Sequence, residues 1–338
     1  MDAVEQIART CLYEGYLLWP YRRSALKNTC RWTFGALHPH TVAPVLGEPA
    51  HLRTECLLRA DTGTDLSVRV RFLHLVDRKV LRDGHAVDSL TVDGRCHLAW
   101  QEATERDLRL PPTTVGALLD APLEVPLLVP GGTHREELAD RQGQSAGELL
   151  RTWEPLTGTT ELAASRVDAG TVRISVRITN TTDCPRPDPE NRQARELAVR
   201  HALLSTHTVL RSERGTFVSL ADPPEELRDA ARSCDNQGCW PALVGEGDER
   251  GHTVLSSPIT LPDYPQVAPE SPGDLFDGTE IDQLLILSVL SMSEQEREEM
   301  AATDPRARDI LERCAALGER ELGALHGAIR SFRPLEDA

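Results

Sequence analysis

The sequence predicts an α+β protein: a β-rich body of sandwich-like sheets, flanked by an N-terminal helix and a C-terminal helical module. Three observations carry that reading. Two central stretches alternate apolar and polar residues with the period of half-buried strands. The first dozen residues repeat apolar positions at helical spacing. The last fifty residues or so are punctuated by helix-start signals.

Taken in order, residues 1–50 hold the helix and a long connection. Val4, Ile7, Ala8, Cys11 and Leu12 recur at three-and-four spacing, which predicts one amphipathic helix. The stretch "YEGYLLWPYRRSALKNTCRWTFG" follows. Gly15, Pro20 and Gly35 break it, so it reads as an ordered connection and not one element. It concentrates Tyr13, Tyr16, Trp19, Tyr21, Trp32 and Phe34 in a chain with only 4% aromatic residues, and adds Arg22, Arg23, Lys27 and Arg31. Aromatic and arginine side chains together suit a packed anchor or a binding surface.

Residues 51–260 form the predicted β-rich body. In "LSVRVRFLHLV", Leu66, Val68, Val70 and Phe72 share one face, with Ser67, Arg69 and Arg71 on the other. "GRCHLAWQEATERDLRL" reads as a further strand or pair. "HREELADRQGQSAGELLRTWEPL" mixes helical and loop signals. In "GTVRISVRITNTT", Val172, Ile174, Val176 and Ile178 alternate with Arg173, Ser175 and Arg177. "LAVRHALLSTHTVLRSERGTFVSL" is apolar enough for a central strand with a turn at Glu213–Gly215. That reading puts His201 and His207 on one face. The two β regions share a texture, but no residue-level repeat joins them.

Residues 261–338 open with "PDYPQVAPESPGDLFDGTEID", stiffened by proline and carrying Asp263, Glu270, Asp274, Asp277, Glu280 and Asp282. An EF-hand loop needs acids at alternate positions around a central glycine, and this order lacks them. Acids gathered at a helix start, with Thr279 and Asp282 at capping-box spacing, explain the run instead. Ser293 and Glu296 make a second capping box. Thr303 or Asp304 precedes Pro305 at the first position of a third helix, whose stripe is Ile310, Leu311, Cys314 and Leu317. "RELGALHGAIRSF" reads as a fourth.

A net charge of −16 disfavours nucleic acid and anionic membranes as partners. No apolar run is long enough for a membrane span, and the start lacks the pattern of a signal peptide, so a cytoplasmic location is expected. The 8 cysteines are scattered without a CxxC pair, as reduced thiols would be. Metal-ligand candidates are Cys234 and Cys239 in "SCDNQGCW", and His38 and His40 in "HPH"; zinc would need further ligands that no second pair supplies. No nucleophile elbow, Walker loop, dinucleotide fingerprint or zincin motif occurs. No cofactor is expected.

Three stretches together resemble a family of uncharacterised proteins encoded in NiFe-hydrogenase gene clusters, chiefly of actinobacteria and related aerobic bacteria. They are "YEGYLLWPYRRSALKNTCRWTFG", "LPDYPQVAPESPGDLFDGTEIDQLLILSVLSMSEQEREEMAATDPRARDILERC" and "LGALHGAIRSFRP". The resemblance implies a non-enzymatic accessory or assembly factor that binds a hydrogenase subunit or maturation protein. A metal-handling protein for nickel or iron, and an enzyme of unrecognised type, are the alternatives. The expected partner surface comprises Trp19, Tyr21, Arg22, Arg23, Arg31 and Trp32 from the basic stretch, facing Asp274 and Asp277 from the acidic one.

Overall fold

The computed structural model describes residues 3–16, 21, 35–185, 194–247, 250–266 and 282–317. The fold is α+β, as the alternation and the caps predict. Its first half contains α1 (Ala3–Tyr13), α2 (Ala43–Leu46), β1 (His51–Arg59), β2 (Asp65–Arg82), β3 (His85–Val87), β4 (Ser89–Val92), β5 (Arg95–Leu98), β6 (Trp100–Arg109), β7 (Thr113–Thr114), α3 (Val115–Asp120), β8 (Leu123–Val129), β9 (Gly132–Ala139) and β10 (Ser145–Trp153). The second half contains β11 (Leu156–Arg166), β12 (Thr171–Asn180), α4 (Ala194–Val199), β13 (Leu204–Arg211), β14 (Thr216–Val218), α5 (Arg228–Arg232), β15 (Trp240–Val244), β16 (Thr253–Ser257), α6 (Asp282–Leu290), α7 (Glu294–Thr303) and α8 (Pro305–Ala316).

Two antiparallel sheets face each other. The smaller runs β14-β1-β12-β11-β8, and the larger runs β15-β16-β13-β2-β10-β9 with β3, β6 and β7 also paired to β2. Strands β4 and β5 form a separate hairpin. Strands from both predicted β regions enter both sheets: β1 pairs with β12 in the smaller, and β2 with β13 in the larger. The predicted inward sets are the ones buried. Leu66, Val68, Val70 and Phe72 of β2 pack with Val172, Ile174, Val176 and Ile178 of β12 in the sandwich core. Each such side chain contributes about 1.5–3 kcal/mol on removal from water.

Strand β2 is 18 residues long, well beyond the alternating stretch that reveals it. It serves two neighbours in series. Residues from Ser67 to Leu73 pair with β13, and Asp77 to Leu81 pair with β10. Its other polar face is not solvent. Val4, Ile7, Ala8 and Cys11 of α1 cluster with Val209, Val244 and Leu255 of the larger sheet. Leu12, Tyr13 and Tyr16 join Leu73, Leu75, Ile286, Met300 and Ile310 in a second core under the C-terminal helices. Arg71 is therefore only 3% exposed, although the alternation alone assigns it to water.

Two local expectations are corrected. The "HREELADRQGQSAGELL" stretch is the β9–β10 hairpin, without helix. Its turn is fixed by the Asp140 carboxylate, which accepts from the amides of Gln142 at 2.9 Å and Gln144 at 2.8 Å, and by Gly143 at φ 78°. Cross-strand pairs Arg135–Glu148 at 2.6 Å and Arg151–Glu136 at 2.7 Å then use the charged residues that suggested helix. The second correction concerns residues 197–203. They contribute the end of α4 and a turn, and β13 starts only at Leu204. His201 thus lies off the strand that carries His207.

In the C-terminal module the punctuation holds where it is described. Ser293 accepts from the amide of Glu296 at 3.4 Å, and the Glu296 carboxylate accepts from the amide of Ser293 at 2.9 Å. Asp304, and not Thr303, caps α8 ahead of Pro305. Thr279 and the proposed fourth helix lie outside the described residues. Ser293→Ala should lower the unfolding free energy by about 1 kcal/mol, read as a shift of the urea midpoint with an unchanged slope.

Candidate functional site

The most developed polar site lies where the two ends of the chain meet. Helix α1 ends at Tyr13, and Gly15 at φ 71° turns the chain so that the amide of Tyr16 bonds back to the Tyr13 carbonyl at 2.9 Å. The two rings then stand edge to face, 5.3 Å apart. The Tyr16 hydroxyl donates to Asp304 Oδ2 at 2.6 Å, while Asp304 Oδ1 accepts from the amide of Arg306 at 2.8 Å. One buried carboxylate therefore caps α8 and ties it to α1. The Arg306 guanidinium lies 4.2 Å from the Tyr13 ring centre and 5.2 Å from that of Tyr16, and donates to the Tyr13 hydroxyl. Burial pushes the Tyr13 phenol well above its usual pKa, against the nearby Arg306 charge.

Beneath this cluster, the outer face of the larger sheet carries a charge network. Arg71 meets Glu5 of α1 at 2.8 Å and Glu105 of β6 at 3.4 Å. Arg69 meets Glu5 at 3.0 Å and also pairs with Asp107. Arg9 reaches Glu105 at 3.5 Å. Above it, α1 and α8 leave a groove of about 570 Å³ lined by Arg9, Tyr13, Arg306, Asp309, Glu312, Arg313 and Ala316. A second hollow of about 310 Å³ lies beside Tyr264, whose ring is covered by Arg250 at 4.1 Å.

The residues singled out from sequence fall as follows. Trp19, Arg22, Arg23, Arg31, Trp32, Asp274 and Asp277 lie outside the described residues. Tyr21 is fully buried in the core under the C-terminal helices, which makes its ring a packing element. His38 is buried and His40 exposed, so the pair does not converge on one point. Burial pushes His38 below its usual pKa, the Glu48 charge opposing. Cys239 is buried, with its thiol 3.1 Å from Thr54 Oγ1 and 3.2 Å from the Arg53 carbonyl. Cys234 is half-buried.

The intervening "DNQG" turn is docked on β1. Asn236 accepts from the Glu55 amide at 2.8 Å, and the Glu55 carboxylate accepts from the Asp235 amide at 2.8 Å. This docking accounts for the spacing of the two cysteines without a ligand. Burial raises both thiols, which disfavours the thiolate a metal needs. Among the described residues no three His, Cys, Asp or Glu side chains stand together as a metal site.

Sequence reasoning did not reach Arg9, Asp304 as a tether, or Arg306. The available signal was the pairing of "YEGY" after the first helix with "TDPRAR" between the last two. Nothing in periodicity says that stretches nearly 290 residues apart touch; the Tyr16–Asp304 bond spans 288 positions. Among the described residues no helix is long and apolar enough to cross a membrane. No family model matches the chain, and no curated protein matches it.

Proposed function

We propose that the chain is a non-enzymatic accessory or assembly factor that acts in the cytoplasm by binding a protein, with a subunit or maturation protein of a NiFe hydrogenase as the partner. One observation supports this best. Two of the stretches that carry the resemblance, the one opening at Tyr13 and the one holding Asp304 and Arg306, build one solvent-facing groove between α1 and α8. Its lining is charged and aromatic, the composition of a recognition surface. The described cysteines are all free, which suits a reducing compartment.

The test is affinity purification of the tagged chain from native cells grown under conditions that induce the hydrogenase. Enrichment of a hydrogenase subunit or maturation protein, reciprocated when that protein is tagged, is the expected result. Absence of both from a reciprocal experiment that captures other known complexes refutes the reading. Metal analysis of the reduced, purified chain separates the metal-handling alternative. The accessory reading expects far less than one tightly held nickel, iron or zinc per chain; a stoichiometric metal that survives chelation would favour metal handling.

A further inference from the structure

We infer that the α1–α8 groove binds a carboxylate-bearing peptide segment of a partner protein, with the Arg306 guanidinium as the seat for one acidic side chain. The inference rests on the proposed binding function and specifies its chemistry.

Arg306 is the central observation. Its guanidinium lies against two tyrosine faces and donates to a phenol, and no described carboxylate forms an ion pair with it. A guanidinium stacked on rings keeps its fork of donors in a fixed plane, and a carboxylate matches that fork with two parallel bonds. Arg9, whose side chain is 43% exposed, also lines the groove, its guanidinium 6.0 Å from the centre of the Tyr13 ring. Along α8 the lining then alternates in sign: Arg306, Asp309 and Glu312, Arg313.

That alternation selects the ligand class. A multiply charged phosphate on Arg306 would be repelled by Asp309 and Glu312. A polyanion would also meet the net charge of −16. A peptide can place an acid on Arg306, a base by Asp309 and a second acid by Arg313. Arg306 and Arg313 are seven residues apart on one helix, about 10 Å by the rise of 1.5 Å per residue. Three residues of a polyproline II segment, one full turn, cover about 9 Å and bring the side chain back to the same face. The matching sequence is therefore acid–base–x–acid.

The probes are two fluorescein-labelled hexapeptides, Gly-Glu-Lys-Gly-Glu-Gly and its charge-reversed form Gly-Lys-Glu-Gly-Lys-Gly, titrated against the full chain by anisotropy at low salt. Saturable binding of the first, at least about tenfold tighter than the second, is expected. Arg306→Gln should weaken it about tenfold, and Arg306→Lys should recover only part. Arg9→Gln, at a half-exposed site whose ion pair with Glu105 is long at 3.5 Å, should also weaken it.

Equal binding of the two peptides, no binding, or indifference to both the Arg306 and Arg9 variants overturns the proposal. So does binding that appears only after residues 318–338 are removed, because the groove then belongs to the chain itself. If the peptide binds as expected but no hydrogenase protein co-purifies, the site stands and the hydrogenase reading falls. If such a protein co-purifies equally with wild type, Arg306→Gln and Arg9→Gln, the hydrogenase reading stands and the groove is not the docking site.

Discussion

Arg78→Met should lower the unfolding free energy by about 3 kcal/mol, the largest effect expected of any single charged residue outside the groove. Arg78 sits on β2 and is only 7% exposed. Its guanidinium meets Glu102 at 2.6 Å, donates through Nε to the Leu98 carbonyl at 2.9 Å, and donates through Nη2 to the carbonyls of Thr303 at 2.9 Å and Ala302 at 3.4 Å. The last two are end carbonyls of α7, which have no partner within the helix. One side chain thus closes the end of α7, the end of β5 and the charge of Glu102.

Methionine keeps most of the apolar stem and removes every donor. Glu102 would retain Arg151 at 2.7 Å, which keeps the cost below that of an isolated buried carboxylate. The Thr303 and Ala302 carbonyls would lose the guanidinium donor. The check is urea unfolding, with hydrogen exchange to locate the loss. Protection should fall first in α7 and α8, since those helices lose their tie to the sheet. Adding Glu102→Gln to Arg78→Met should restore part of the loss. A shift of the single variant below about 1 kcal/mol would mean that the α7 carbonyls are as well served by water as by Arg78.

The contrast between Arg78 and its neighbours on β2 shows where the sequence is legible. Leu66, Val68, Val70 and Phe72 declare their face by period alone, because the sandwich interior is built mainly from apolar side chains. The caps Ser293 and Asp304 are equally legible, because capping is decided within four residues of chain. Arg69, Arg71 and Arg78 carry no such local sign. The alternation puts Arg69 and Arg71 on the polar face, yet α1 covers them, and Arg78 lies beyond the alternating stretch, against the end of α7; the charges are matched by Glu5, Glu102, Glu105 and Asp107 from other elements. The β9–β10 hairpin misleads for a related reason. Its Glu and Arg residues have helical propensity, but cross-strand pairing and the Asp140 turn override it. The candidate site is legible only in part. Tyr13 and Tyr16 stand out by aromatic content in a chain poor in aromatics, whereas Asp304 and Arg306 read from sequence as the mere start of a helix.

Stability should fall steeply between pH 6.5 and about 4, and two buried histidines should account for much of the fall. His207 is fully buried in β13. Its Nδ1 donates to the Ser205 carbonyl at 3.0 Å, and its Nε2 has no described hydrogen-bond partner. Burial first, then the charges of Arg71 and Arg69, push its pKa down to about 4, against the Ser205 bond and Asp107. His74 is likewise pushed down to about 4 by burial and by Arg106. Arg106 donates to Nδ1 of His74 at 3.3 Å, which leaves Nε2 to donate to the Glu154 carbonyl at 2.9 Å. Both rings are therefore neutral in the fold. In the unfolded chain each takes a proton near pH 6.5, so between the two values the unfolded state binds more protons. Stability must then rise with pH, being complete above 6.5 and lost progressively down to about 4. A shift of this size corresponds to at most about 3 kcal/mol per group, a large fraction of the 5–15 kcal/mol typical of a domain. Burial also lowers His38, His97 and His201, which adds to the same slope. The carboxylates with depressed pKa values, Asp65, Asp107 and Glu136, lose their contribution only at lower pH and leave this window to the histidines. Urea midpoints measured at pH 7.5 and 5.0 should differ strongly for the wild type. In the double variant His74→Gln with His207→Gln, whatever its absolute stability, that difference should shrink by more than half. An undiminished difference would show that both rings are already protonated in the fold, and that the cavities holding them are wetter than their burial implies.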